Sequence, residues 1–271
     1  MPTEFLSIPW LRLAILLAAC YACLCLFAAC GSNALLFPAP PASYQENDAD
    51  FFLQTPSGER IACSYLEAPD AREGVIILFS HGNGEDLGHA REFLEAYRSL
   101  GCSVFAYDYP GYGQSSGSPT EQGCYEAAFA AYQHLVEELG APPERIILHG
   151  RSLGGGPSCE VASTRKVGGL ILESSFITAF RVMTRVPLVP FDKFRNLDKL
   201  DAVSCPTLVI HGELDEVIPF PHGEKLFEAL SEPKTFLRFP QAGHNNLAAA
   251  AGSAYWEGLK TFIRATAEVS E

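Results

Sequence analysis

Short apolar runs separated by amphipathic stretches fill residues 51 to 266 and leave few folds open to this chain. FFLQT (51–55) and IACSYL (61–66) flank the turn PSGE and predict an antiparallel hairpin. GVIILFS (74–80), CSVFAYD (102–108), RIILH (145–149), VGGLILE (167–173), PTLVIHG (206–212) and KTFLRFP (234–240) are nearly continuous apolar runs. Such runs form strands covered on both faces. Between them lie predicted helices at 89–100, 121–139, from GRSLGGG to about Thr164, 221–230 and 248–266. Gly101 and Gly140 supply stops for the first two. The alternation implies an α/β fold: a mostly parallel central sheet, helices on both faces, and a short cap insert at 174–203. In such sheets function gathers beyond the carboxyl ends of the strands.

G-x-S-x-G occurs twice, as GQSSG (113–117) and GRSLG (150–154). The motif carries a nucleophile only where a strand turns sharply into a helix, because that turn lifts the hydroxyl clear of the sheet. Ser152 follows the strand 145–149 closely and precedes a helix. Ser115 lies within the loop YPGYGQSSGSP and reads as a loop serine. A serine hydroxyl needs a base, normally a histidine held by a carboxylate, and the chain order expected in this fold is Ser, acid, His. His81, His89, His134 and His149 precede Ser152. His211 ends a strand and reads as a structural hydrogen-bonding group; His222 opens a helix and reads as a surface residue. His244, in QAGHNN after the last strand, meets both order and position. HGELDEVIP (211–219) offers Asp215, with Glu213 as the alternative acid. The developing oxyanion needs two N–H donors: Leu153, next to the serine, and Asn83, in HGNGED after the strand 74–80. His81 then shapes that loop. The chemistry needs no metal and no organic cofactor.

HGNGED (81–86), YDYPGYGQSSGSPTE (107–121), GRSLGGG (150–156), LES (172–174), HGELDEVIP (211–219) and GHNN (243–246) together resemble the α/β-hydrolases, specifically the membrane-associated serine hydrolases of the bud-emergence-suppressor type and the related protein depalmitoylases. The resemblance covers most of residues 50–265. It implies Ser152, Asp215 and His244 as the triad, and a structural role for Asp108 and the loop after it. The expected substrate is a small acyl ester or thioester, or an acylated protein. The insert at 174–203 carries Phe176, Phe180, Val182, Met183, Val186, Leu188, Val189 and Phe191, candidates for an acyl pocket.

Residues 1–36 read as a membrane anchor or a lipoprotein signal segment. No charge falls between Leu13 and Ala29, and FAACGSN resembles a lipoprotein box with Cys30 as the lipidated residue. Arg12 precedes the segment and the next basic residue is Arg60, a bias that places the body on the extracytoplasmic side. Residues 37–50, with PAPPASY, read as a stiff linker, and 51–271 as the catalytic domain. Cys63, Cys102, Cys124, Cys159 and Cys205 have neither zinc spacing nor an even count and read as small buried apolar residues.

A net charge of −13 without a basic stripe argues against nucleic acid as a partner. A dinucleotide-binding unit is mimicked by GNGEDLG (82–88) with the next strand ending at Asp108, but Glu85 and Asp86 would repel a pyrophosphate. GRSLGGG lacks the Lys-Ser/Thr ending of a phosphate loop. A serine peptidase of the same fold and a silent membrane-anchored scaffold are the remaining alternatives.

Overall fold

The computed structural model describes residues 9–69 and 74–268. The first eight residues of the predicted anchor and the last three of the predicted domain lie outside them. Eight strands form one sheet: β1 (Phe51–Gln54), β2 (Arg60–Leu66), β3 (Ile76–Ser80), β4 (Ser103–Tyr107), β5 (Ile146–Arg151), β6 (Gly169–Glu173), β7 (Thr207–Gly212) and β8 (Lys234–Phe239). Their order is β1-β2-β4-β3-β5-β6-β7-β8. β1 pairs with β2, and β2 with β4, antiparallel; the pairings from β4 through β8 are parallel.

The helices are α1 (Pro9–Cys30), α2 (Asn33–Leu36), α3 (Leu87–Ser99), α4 (Glu121–Gln133), α5 (Gly155–Thr164), α6 (Ala179–Thr184), α7 (Pro221–Ala229), α8 (Leu247–Ala251) and α9 (Ser253–Glu268). Their starts follow from local chemistry. The Asp86 carboxylate accepts the His89 N–H at the head of α3 (3.1 Å), and the Thr120 hydroxyl accepts the Gly123 N–H at the head of α4 (2.9 Å). Two predicted helices end differently. The stretch 121–139 leaves α-geometry after Gln133 and finishes as a wider turn over His134–Glu138. The closing helix is two, because Gly252 takes φ +57° between α8 and α9.

Strand periodicity divides the core. Leu148, Leu170 and Leu172 face one layer with α4 and α5; Ile147 and Ile171 face the other with Tyr97 of α3 and Tyr255 of α9. Both faces of the central strands are therefore buried, which is why their sequences show no polar alternation. Cys63, Cys102, Cys124 and Cys159 are buried and Cys205 partly so.

Trp10–Cys30 is apolar and long enough, at about 1.5 Å per residue, to cross a bilayer core of roughly 30 Å. Its length and composition suit a membrane anchor and a signal sequence equally. Leu16, Leu17 and Leu26 stand 60%, 60% and 64% exposed, so most of this helix is left uncovered by the described residues, whereas Ala28 in its last turns is buried. The linker departs from expectation. Residues 37–50 are no free spacer but a strap laid along the domain, with Phe37 and Tyr44 buried. The Ser43 N–H donates to Asp86 (2.6 Å), the Tyr44 hydroxyl to Asp108, and the Gln114 amide to the Tyr44 carbonyl (2.9 Å). Two aromatic side chains amid the prolines supply the apolar area that a free linker would lack.

Candidate active site

β5 ends at Arg151, and Ser152 follows with φ +52°, in the left-handed region, before α5 begins at Gly155. That strain belongs to a turn tight enough to set a hydroxyl above a strand end. A Cβ at Gly150 would collide with the backbone of Gly154, and one at Gly154 with the Ser80 carbonyl, so only glycine fits on either side of the elbow. Ser115 is occupied elsewhere. Its hydroxyl accepts the Ala62 N–H (2.9 Å) and donates to the Asp108 carbonyl (3.2 Å), fastening its loop to β2.

Ser152, His244 and Asp215 come together from three strand ends, each 7% exposed. His244 Nδ1 lies 2.8 Å from Asp215 Oδ2, and His244 Nε2 lies 3.0 Å from Ser152 Oγ. A neutral ring donating from Nδ1 to the carboxylate leaves Nε2 free to accept the serine proton. Both ring nitrogens are thereby taken, and Glu213 is exposed on the same loop with no place in the line. Asp215 Oδ1 accepts the N–H groups of Val217 (2.9 Å) and Ile218 (2.6 Å). Burial raises the Asp215 pKa, but hydrogen bonds from His211, His244 and Ile218 and the charge of His244 outweigh it, so the carboxyl is held well below the usual carboxylate range.

Leu153 is buried directly after the serine. The loop after β3 borders the same point: a Cβ on Gly82 would lie 3.7 Å from that of Ser152. Asn83 follows, and its side chain is engaged away from the serine. Its amide donates to the Leu36 carbonyl (2.5 Å), and its carbonyl accepts from the Tyr112 hydroxyl (2.6 Å). His81 donates from Nδ1 to the Gly82 carbonyl (2.8 Å) and packs on Tyr109 at 4.3 Å, consistent with a loop-shaping role. Asp108 accepts from Tyr44 and from the Leu87 N–H (2.9 Å), which ties α3 to the strap.

His211 is structural, donating from Nε2 to the Ile218 carbonyl (2.9 Å), and it also stands 3.4 Å from Asp215 Oδ2. The expectation for His222 fails. It is buried, because the first turn of α7 packs under the insert, where its Nδ1 accepts the Ile177 N–H at 3.2 Å. Burial, aided by the charges of His211 and Lys225, pushes its pKa down to about 4. The unfolded chain, with an ordinary value near ~6.5, then binds more protons than the folded one below that pH. Stability should fall as pH drops from about 6.5 toward 4. Thermal melts in detergent should show this slope flattened in His222→Asn; an unchanged slope would discount His222 as its source.

The insert residues Phe180, Met183, Leu188, Val189 and Phe191 line an apolar cavity of about 180 Å³. Its opposite wall is the end of the apolar N-terminal segment: Leu24, Phe27, Leu35 and Leu36. Phe176 is not part of it; it is buried against Phe194 in the core. Sequence reasoning missed the wall contributed by α1 and α2, the clamp on Asn83, and the ion pairs of Arg151 beneath the elbow.

Residues 77–193 match the alpha/beta hydrolase family, and residues 173–267 the prolyl oligopeptidase family. "Alpha/beta hydrolase domain-containing protein 17B" of Homo sapiens is 39% identical over 227 residues, covering 82% of this chain and 77% of that protein. "Alpha/beta hydrolase domain-containing protein aho-3" of Caenorhabditis elegans is 41% identical over 207 residues, 75% of this chain and 61% of that protein's length. Among solved structures, an esterase from Pyrococcus furiosus superposes with TM-score 0.69 at 15% identity, covering 84% of this chain and 98% of its own. A monoacylglycerol lipase from Paleococcus ferrophilus does so with TM-score 0.61 at 21% identity, covering 76% and 99%. At these identities the structural likeness speaks for the fold alone.

Proposed function

We propose that this chain, which belongs to the alpha/beta hydrolase family, is a serine hydrolase of acyl esters or thioesters. The observation that carries the reading is the hydrogen-bonded line Ser152–His244–Asp215 on a strained elbow. Ser152 Oγ attacks the acyl carbonyl carbon while its proton passes to His244 Nε2. The carbonyl oxygen becomes an oxyanion, taken up by the N–H groups of Asn83 and Leu153. As the tetrahedral centre collapses, the C–O or C–S bond breaks and the leaving alcohol or thiol takes the proton from His244. Water repeats the sequence on the acyl-enzyme, releasing the carboxylic acid and the free serine. Asp215 holds the ring in the tautomer that the first step needs.

The apolar cavity supports a hydrocarbon acyl chain as the part recognised. Leu36 belongs to its wall, and the Leu36 carbonyl binds Asn83, so the cavity adjoins the proposed oxyanion loop. The apolar helix α1 supports attachment to a membrane, where such substrates reside, and the charge bias around it supports an extracytoplasmic catalytic domain. The prolyl oligopeptidase match at 173–267 favours a peptidase as the second reading. The lining of the cavity is mostly apolar, with Ser32, Thr184 and Asp192 as its polar members, and suits a hydrocarbon chain better than a peptide backbone, which places the ester reading first.

A panel of p-nitrophenyl esters and matching thioesters tests this. Each added methylene should raise kcat/KM about threefold to fourfold until the cavity is filled, given about 0.8 kcal/mol per buried CH₂. Leu188→Asp should flatten that rise. Failure to hydrolyse any ester or thioester of the panel overturns the proposal, and cleavage of peptides alone would establish the second reading.

A further inference from the structure

Arg151 occupies the motif position before Ser152, at the end of β5, in register with Glu173 at the end of β6. Its side chain is 16% exposed and its guanidinium meets three partners. One nitrogen pairs with Glu85 Oε1, Nε lies 3.5 Å from Glu173 Oε1, and Nη2 donates to Asn245 Oδ1 at 3.1 Å. The partners sit on three different segments of the site: Glu85 on the loop after β3, Glu173 at the end of β6 and Asn245 on the loop after β8. The other oxygen of Glu85 accepts the Gly82 N–H at 2.9 Å, inside the loop that carries Asn83. Asn245 follows His244. Glu173 is held from below by His149 Nε2 (3.1 Å) and the Tyr255 hydroxyl (2.6 Å), and His149 by the Tyr97 hydroxyl (2.6 Å).

We propose that Arg151 is a positioning residue for acyl transfer, a staple that fixes the Asn83 loop and the His244 loop relative to the elbow carrying Ser152. The proposal rests on the reading of Ser152 as the nucleophile. A planar guanidinium with five N–H donors holds several acceptors in fixed directions, which a lysine ammonium cannot do. The loops keep other bonds without it: the Asn83 amide remains on Leu36, and Asn246 Oδ1 still accepts the Gly243 N–H at 2.7 Å. Removing Arg151 therefore loosens the loops against one another while each keeps its own shape. Displacing reacting groups by about 1 Å costs on the order of 10²-fold in rate.

The test is steady-state kinetics of the full chain in detergent with a short p-nitrophenyl ester. Arg151→Gln should lower kcat about 10- to 100-fold with KM nearly unchanged, as for an interaction felt in the transition state. Arg151→Lys should recover only a small part of the loss. Glu85→Gln should act in the same direction, and Arg151→Gln/Glu85→Gln should be little worse than Arg151→Gln alone, because the two residues form one unit. Millimolar methylguanidinium should restore part of kcat to Arg151→Ala. An Arg151→Gln enzyme with wild-type kcat, full rescue by lysine, or fully additive losses overturns the staple. Those results are distinct from failure of the site reading, which would appear as undiminished hydrolysis by Ser152→Ala.

Discussion

Replacing Ser152 with alanine should lower kcat by about 10⁶-fold and abolish fluorophosphonate labelling, the scale seen where the nucleophile of a serine enzyme is removed. Alanine deletes the one oxygen that His244 Nε2 faces at 3.0 Å and changes little else. It keeps a Cβ, so the left-handed backbone at φ +52° is as strained as before, and the melting temperature should stay near that of the parent. The loss would then be chemical. Ser115→Ala is the matched control, because it deletes the other motif serine. Its hydroxyl already serves Ala62 and Asp108, so the variant should label and turn over as wild type does. Labelling that survives in Ser152→Ala and vanishes in Ser115→Ala would reverse the assignment.

Asp215→Asn should lower kcat by about 10⁴-fold while leaving the fold intact, the effect expected when a histidine base is trapped in the wrong tautomer. The reason lies in the two N–H groups of Val217 and Ile218 that point at Oδ1. They demand an acceptor, so the asparagine must turn its carbonyl oxygen to them and its NH₂ to His244. The ring then accepts at Nδ1 and carries its proton on Nε2, which has no lone pair left for the serine proton. The variant should also change acid stability. Because the folded pKa of Asp215 lies below its unfolded value near ~3.9, the stability it contributes is present above that pH. It is lost as pH falls through the lower, folded value. The gap in melting temperature between wild type and variant should therefore be largest near neutrality and shrink below about pH 4. Activity within tenfold of wild type would remove Asp215 from the mechanism.

The strands, their order of use and the three residues at their ends were legible because each rests on local pattern. An apolar run of five to seven residues is a buried strand wherever it pairs, and the strand-turn-helix context separates Ser152 from Ser115 without reference to the rest of the chain. What was not legible depends on distant partners. Nothing near Leu36 indicates that its carbonyl meets Asn83, and nothing near Tyr44 marks it as the partner of Asp108. A proline-rich stretch reads as a spacer until the surface it lies on is known. His222 likewise carries no local mark of burial, since its cover is Ile177 on another segment. Arg151 holds the variable position of a five-residue pattern; its meaning comes from Glu85, Glu173 and Asn245, contributed by two other loops and the end of β6.

The docked strap also sets a working radius. A free proline-rich chain over 37–50 would extend about 3.1 Å per residue, letting a tethered domain sweep some 40 Å from its anchor. Bound through Phe37, Ser43 and Tyr44, the same residues leave almost no slack. On the proposed reading, with α1 as a membrane anchor, this strap would hold Ser152 near one height above the bilayer and put an acyl bond farther from the surface out of range however well its chain would fit.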